Sequence, residues 1–554
     1  MKLYDMDFNQ KLKQAIQENW DKPAMTDYPT GRTLTYGKFA ESMAQMHILF
    51  KEIGIEEGDK IAVVGKNNPD WAIVFLSAVT YGAVIVPILQ NFPAADIHHI
   101  VNHSESKLLF ISDNLKDQIV EDQIPKVQLI YCYDERYCIH KGVSRDLPLR
   151  IEELRDRIKK EYPKGFSKED VKFAKRAKND LFAIDYTSGT TGFSKGVMQT
   201  FDNIVGNIGY VEEIGVAYPG NRILSFLPLA HTYGCTLDLL SQITNGSHIT
   251  FLNKLPAPKI LAQAFSEVKP NVIFTVPLIP EKVFRAIAEP IIQKHAATLS
   301  EEQMEATVYP KVREMLIQFF GGEFKQVVMG GAALNAEIED WLTKIKFPFA
   351  VGYGMTECSP LIAFVNLDLF AKRSVGRTLP NLEVKIDSED PENIVGEVLV
   401  KGQNVMAGYY KNPEDTERAI DKDGWLHTGD LGTLSKNNDL FLKGRCKTML
   451  LGPSGQNIYP EALEAKLVNL PFVSECLVLS KNNKLVALVY PDFKAMDELG
   501  MQESDLAKVM DENKKKFNAI VGDYERITEI ILYPNAFEKT PKNSIKRYLY
   551  QDKI

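Results

Sequence analysis

Residues 186–197 read YTSGTTGFSKGV, a run of hydroxyl and glycine residues closed by a lysine. Those residue types suit the gripping of a polyanion. Glycines let backbone N–H groups turn toward an anion with no Cβ in the way. The hydroxyls of Thr187, Ser188, Thr190 and Thr191 can donate to phosphate oxygens, Gly189 and Gly192 supply the turns, and Lys195 adds a positive charge. The spacing is not that of the common nucleotide P-loop, G-x4-G-K-[ST]. Here the lysine stands six residues after Gly189 and Gly196 follows it. A flexible Ser/Thr/Gly linker is the other reading. The position of the run directly after the apolar stretch LFAIDYT argues against it.

Further along come other residues able to do chemistry. Residues 351–359, VGYGMTECS, bring an aromatic ring (Tyr353), a hydroxyl (Thr356) and a carboxylate (Glu357) close together. The GYG within it lacks the third glycine of a dinucleotide fingerprint. Residues 227–234, LPLAHTYG, hold a single histidine, His231, which taken alone reads as well as a packed core residue. Gly330-Gly331-Ala332-Ala333 follows the strand-like KQVVM, and such a small-residue turn lets a flat ring approach the backbone. HTGD (427–430) and KGRCK (443–447) are polar turns that by themselves read equally as surface. The segment GQNIYPE (455–461), with Glu464, has the look of a loop opening a helix.

These residues need a scaffold, and the sequence supplies one. Residues 36–53 place Phe39, Met43, Met46, Phe50 and Ile53 on one helical face, with Gly54 as C-cap. Short apolar runs (KIAVVG, KLLFIS, VQLIYC, LFAIDYT, HITFLN, NVIFTVP) alternate with helical patterns, which argues for parallel α/β layers. The uncharged residues 71–90 are long enough to span a bilayer. Asn68-Pro69 as a helix start and Gly82 as its stop instead predict a short buried helix followed by a strand, AVIVPI. Residues 281–320 predict a long helical excursion. After about residue 380 the strands become hairpin-like, and the last hundred residues predict a small α+β unit: a hairpin turning at residues 481–483, a charged helix (504–518) and a strand (530–533).

The chain has 554 residues with a formal charge of −8. That mildly acidic balance speaks against general nucleic-acid binding, so any anion site must be local. Cys132, Cys138, Cys235, Cys358, Cys446 and Cys476 form no CxxC pattern, which gives a zinc or redox site little support and suits a reducing compartment. The N-terminus has no apolar core and reads as mature protein. Cytoplasmic localisation is expected.

With the motifs in this order, the chain resembles the adenylate-forming superfamily: acyl-CoA synthetases, luciferases and the adenylation domains of peptide synthetases. YTSGTTGFSKGV is similar to the signature loop of that family, and VGYGMTECS to its YGxTE element. The resemblance covers nearly the whole chain and is best to long-chain fatty acid–CoA ligases, through residues 311–334, KVREMLIQFFGGEFKQVVMGGAAL. It implies a large N-terminal domain of layered α/β subdomains plus a β-rich subdomain (1–444) and a small mobile α+β domain (445–554) hinged near Lys447. It implies ATP, Mg²⁺ and coenzyme A as ligands. Roles then fall on particular residues. The loop, residues 187–192, would hold the phosphates with Lys195. Gly331, Ala332, Gly352 and Tyr353 would flank the adenine. Thr356 would touch the α-phosphate, Glu357 with Thr187 would hold Mg²⁺, and His231 would flank the substrate carboxylate. Asp430 and Arg445 would reach the ribose.

At the C-terminus the sequence departs from the family, whose lysine in T-x-x-x-K-[IVL]-x-R assists adenylate formation. Thr540, Ile545 and Arg547 match, but Ser544 stands at the lysine position. Lys542 and Lys546 lie two residues to either side, and either would reach the same face of an extended segment if the loop shifts register; Lys546 is one candidate substitute, and solvated surface lysines at both positions are the equal alternative. The resemblance implies activation of a medium- to long-chain fatty acid as acyl-AMP, then transfer to coenzyme A. Open alternatives are an acyl carrier protein as acceptor, an aryl acid as substrate, or a non-catalytic acyl- or nucleotide-binding protein. A greasy substrate would suit peripheral membrane contact, although no basic amphipathic helix argues for it. Chain length preference and oligomeric state are not legible.

Overall fold

The structure, a computed structural model, describes residues 3–135, 137–141, 151–187, 194–451, 456–481, 484–540 and 545–554. Contact density divides the chain into two compact units: Met1–Glu383 with Val400–Leu426, and Val384–Leu399 with His427–Ile554.

The first unit is built on an eight-stranded sheet. Its order is Gly408–Tyr409, Lys195–Thr200, Leu181–Thr187, Val84–Ile88, Lys60–Val64, Ser106–Ile111, Leu129–Cys132, Tyr137–Lys141. The five strands from Leu181–Thr187 to Leu129–Cys132 run parallel and the outer ones antiparallel. Side chains alternate across a strand. Ile61 and Val63 enter one buried cluster, with Phe39, Phe50 and Phe75, while Ala62 and Val64 enter another, with Val86, Leu109 and Ile111. Both faces are therefore covered, which is why these strands read as continuous apolar runs rather than alternating ones.

The helices on these faces begin and end where their caps dictate. Thr35 accepts from the Lys38 N–H at the start of Tyr36–Ile53, and Gly54 closes it in the left-handed region at φ 83°. Asn68 accepts from the Trp71 N–H at the start of Pro69–Tyr81, and Gly82 ends it at φ 106°. The strand Val84–Ile88 follows, buried throughout. The uncharged segment is thus a 13-residue helix and a strand, and among the described residues no helix is long and apolar enough to cross a membrane.

The unit also holds two further sheets of three or more strands. One has the order Arg222–Ser225, His248–Phe251, Pro23–Asp27, Thr33–Thr35; the other is parallel, Val272–Thr275, Gln326–Met329, Phe349–Val351. The expected helical excursion is present but broken. Wide π-type turns, Phe284–Ala288 and Met304–Val308, precede Glu289–Ala296 and Tyr309–Phe319. Pro290 and Pro310 sit at the second position of the helices that follow. Each lacks an amide hydrogen, so the regular ladder cannot run through.

The second unit holds most of a four-stranded sheet, Leu382–Asp387, Gly396–Gly402, Leu426–Leu434, Leu440–Arg445, whose last two strands pair antiparallel. It also holds a three-stranded sheet, Val473–Lys481, Lys484–Pro491, Ile527–Leu532. Helices Pro460–Leu467 and Glu503–Ala519 cover the latter through Leu463, Leu467, Leu506, Met510 and Phe517.

Candidate active site

The hydroxyl- and glycine-rich run connects the two strands of a hairpin. Leu181–Thr187 pairs antiparallel with Lys195–Thr200, and Thr187 stands directly opposite Lys195. The candidate cation and the first candidate hydroxyl are therefore neighbours at the hairpin mouth. Ser188, Gly189, Thr190, Thr191 and Gly192 lie outside the described residues. The stem is fixed from the side: the Tyr186 hydroxyl and His103 Nδ1 are 2.7 Å apart, and burial holds that phenol well above its usual range, so it stays protonated. Gly196 is required here, because a Cβ would come within 2.8 Å of Ile184 Cγ2.

Lys195 and Glu357 converge on one ring. The Lys195 ammonium lies 4.9 Å from the Tyr409 ring centroid, and the Tyr409 hydroxyl donates to Glu357 Oε1 at 3.0 Å. Burial first, then the Glu357 charge, pushes the Tyr409 hydroxyl well up, so it remains a donor. The turn carrying Glu357 is docked by backbone: Gln199 Nε2 donates to Thr356 O at 3.2 Å, and the Met406 N–H donates to Glu357 O at 2.9 Å. Thr356 is buried and Glu357 half-buried. Lys195 also pairs with Asp415 at 2.8 Å.

Tyr409 and Asp415 were not among the residues that the sequence singled out. The string YYKNPEDT does announce a helix start: Asn412 caps the Asp415 N–H at 3.0 Å and Pro413 opens Pro413–Ala419. Nothing in its spacing says which loop that helix start faces.

Three other motifs share one property. Residues 227–234 follow strand Arg222–Ser225, Gly330 to Ala333 follow Gln326–Met329, and Gly352 with Tyr353 follows Phe349–Val351. Like the hairpin loop, each leaves the carboxyl end of a strand with parallel neighbours, where ligands bind in open α/β sheets. His231 caps the short helix Thr232–Gly234, its Nδ1 accepting from the Tyr233 N–H at 3.3 Å. That places the proton of the neutral ring on Nε2. The Tyr233 hydroxyl donates to Val328 O at 3.0 Å, and a Cβ on Gly330 would come within 3.2 Å of its ring. His231 and the Gly330 turn are thus joined through Tyr233. Gly331 is exposed at φ 82°, a conformation open to glycine, and Ala332 is exposed beside it. Tyr353 pairs with Ala363, and at Gly354 a Cβ would fall 2.1 Å from Pro360 O.

In the second unit, Asp430 and Arg445 are register partners in adjacent strands, with Arg445 Nε 3.0 Å from Asp430 Oδ1. The turn before Asp430 is pinned by Glu397, which accepts from the Gly429 N–H at 2.9 Å and lies 2.9 Å from His427 Nδ1. Lys447 is exposed in the turn that follows Arg445. Lys546 faces Glu538 at 3.5 Å, while its neighbour Arg547 grips Glu464 through two contacts of 2.7 Å. Lys542 and Ser544 lie outside the described residues.

The chain as a whole has known relatives. The profile of the AMP-binding enzyme family matches residues 12–410. The chain belongs to the AMP-binding enzyme family. It is 25% identical over 525 residues to the long-chain-fatty-acid–CoA ligase heimdall of Drosophila melanogaster, covering 86% of this chain and 75% of that protein. It is 29% identical over 540 residues to 4-coumarate–CoA ligase 4 of Arabidopsis thaliana, covering 94% and 86%. Its fold is similar to that of the anthranilate CoA ligase AuaEII in complex with anthranoyl-AMP, at TM-score 0.79 and 18% identity, covering 100% of this chain and 99% of that one.

Proposed function

We propose that this protein is an AMP-forming acid–CoA ligase: it activates a carboxylic acid with ATP as an acyl-adenylate and passes the acyl group to coenzyme A. The observation that supports it best is the convergence of Lys195 and Glu357 on Tyr409 at the mouth of a hairpin whose connecting loop is rich in glycine and hydroxyls. The family membership and the coenzyme A ligases among its relatives agree with it.

In the first step a carboxylate oxygen attacks the α-phosphorus, the bond to the β-phosphate oxygen breaks, and pyrophosphate leaves. Lys195 and the loop hydroxyls stabilise the negative charge, which is electrostatic and positional catalysis. Thr356 sits beside the reacting phosphate and His231 beside the acid. Asp430 and Arg445 hold the ribose. Glu357 and Thr187 offer one carboxylate and one hydroxyl, a donor set that suits magnesium, which takes one or two protein oxygens and the rest from phosphates and water. Glu357 and Thr187 would hold it, and it would supply neutralisation of phosphate charge. In the second step the coenzyme A sulfur attacks the acyl carbon, its proton leaves to solvent, and AMP departs.

A medium- to long-chain fatty acid is the substrate we favour, on the similarity of residues 311–334 to that subgroup and on the heimdall relative. The coumarate-ligase relative favours an aryl acid as the second reading. AMP release measured with ATP, magnesium, coenzyme A and a panel of acids separates the two; release with none of them sinks both. Lys195→Ala and Glu357→Ala are each expected to slow acid-dependent ATP–pyrophosphate exchange at least about a hundredfold, as loss of a charged transition-state contact does. Unchanged exchange in either variant counts against the assignment.

A further inference from the structure

The ammonium that this reading gives to the phosphates already has an anionic partner. Lys195 Nζ lies 2.8 Å from Asp415 Oδ2, with side chains 31% and 21% exposed. The carboxylate is fixed in advance. Asn412 Nδ2 donates to Asp415 Oδ2 at 2.9 Å, Arg418 Nη1 is 3.1 Å from Oδ1, and the Asp415 N–H is capped by Asn412. The same helix start fixes Tyr409, whose N–H donates to Thr416 Oγ1 at 2.9 Å. Lys195 is therefore held by an anion and a ring that both belong to residues 409–416. The hydrogen bond from Lys195, with that from Asn412, keeps Asp415 below the usual carboxylate range, so it is charged at neutral pH.

We propose that Asp415 is the resident counter-ion of Lys195, which a bound polyphosphate displaces, so that Asp415 sets the affinity for ATP and pyrophosphate. The inference rests on the reading of Lys195 as the phosphate-binding cation. A lysine ammonium is a compact point charge with three donors on a flexible stem, and its attraction for a phosphate is weakened while Asp415 holds it. The carboxylate therefore competes with the incoming phosphates for Lys195. The pair is partly open to solvent, so the competition is a modest one that ligand can win.

Asp415→Asn tests it by calorimetric titration of the full chain with ATP, pyrophosphate and adenosine, magnesium present. Kd for ATP and for pyrophosphate should fall about three- to fivefold, the range that a partly exposed ion pair supports, with adenosine unmoved. Asp415→Ala, which offers no amide to the phosphates, should give the same sign. In a Lys195→Ala background the effect of either substitution should vanish. An unchanged or raised Kd for ATP, an equal shift for adenosine, or an effect that persists without Lys195 would overturn the proposal. ATP binding undisturbed by Lys195→Ala alone would remove the underlying reading and this inference with it. Weakened binding in Lys195→Ala beside an unaltered Asp415→Asn would remove the inference alone.

Discussion

Tyr409 does two things with one side chain. Its ring lies beside Lys195, and its hydroxyl holds Glu357 at 3.0 Å. Tyr409→Phe separates the two roles, because the ring stays and the donor goes. A hydrogen bond to a charged group is worth about 1.5–3 kcal/mol, so ATP–pyrophosphate exchange is expected to fall about tenfold or more. If Glu357 carries the metal, the magnesium concentration for half-maximal exchange rises as well. A variant with wild-type exchange and wild-type magnesium dependence would show that Glu357 does not need this anchor. At this scale the reactive types were legible: Thr187, Lys195, Thr356 and Glu357 stand out by kind and order. The residue that joins them was not, since a tyrosine 52 positions from Glu357 carries no local signal.

At the scale of elements, the helix Tyr36–Ile53 meets Pro69–Tyr81 through a histidine. His47 Nε2 lies 3.1 Å from Ser77 O and 3.0 Å from Thr80 Oγ1, an arrangement that the neutral ring satisfies by donating. Burial pushes its pKa down from 6.5 to about 4. Between those two values the unfolded chain binds a proton that the folded chain does not. Stability from this group is therefore present above pH 6.5 and is lost as pH falls toward 4. Chemical denaturation midpoints measured from pH 7 to pH 4 should drop with acidification, and His47→Gln should flatten part of that slope. An identical slope in the variant would mean that other groups carry the acid sensitivity. Capping residues made these two helices readable, whereas the sheet-forming partners of the short strands were not, because pairing is decided far along the chain.

At the scale of the whole molecule, two compact units carry different parts of the proposed chemistry. Lys195, His231, Thr356 and Glu357 lie in the first, and Asp430, Arg445, Lys447 and Lys546 in the second. Lys447 lies inside the second unit rather than at its edge; we propose it as a hinge whose backbone angles change between the two half-reactions. Lys447→Pro restricts φ there. Single-turnover measurements should then show thioester formation slowed about tenfold or more with acyl-adenylate formation nearly intact, since the rate of a gated step follows the population of its competent arrangement. Equal slowing of both half-reactions would speak for damage to the strand Leu440–Arg445 instead.

Local chemistry is what the sequence determined. Glycines, hydroxyls and a lysine after an apolar strand define a polyanion grip, and caps such as Asn68 and Gly54 define helix ends, because both depend on neighbours within a few residues. Only the tertiary structure decided that the glycine-rich run closes a hairpin with Thr187 opposite Lys195, and that Tyr409 and Asp415 complete its cation. The contacts of Lys195 with Tyr409 and Asp415 join residues more than 200 positions apart. What brings them together is the order in which buried strands pair, and a stretch of sequence carries no label for its partner across the sheet.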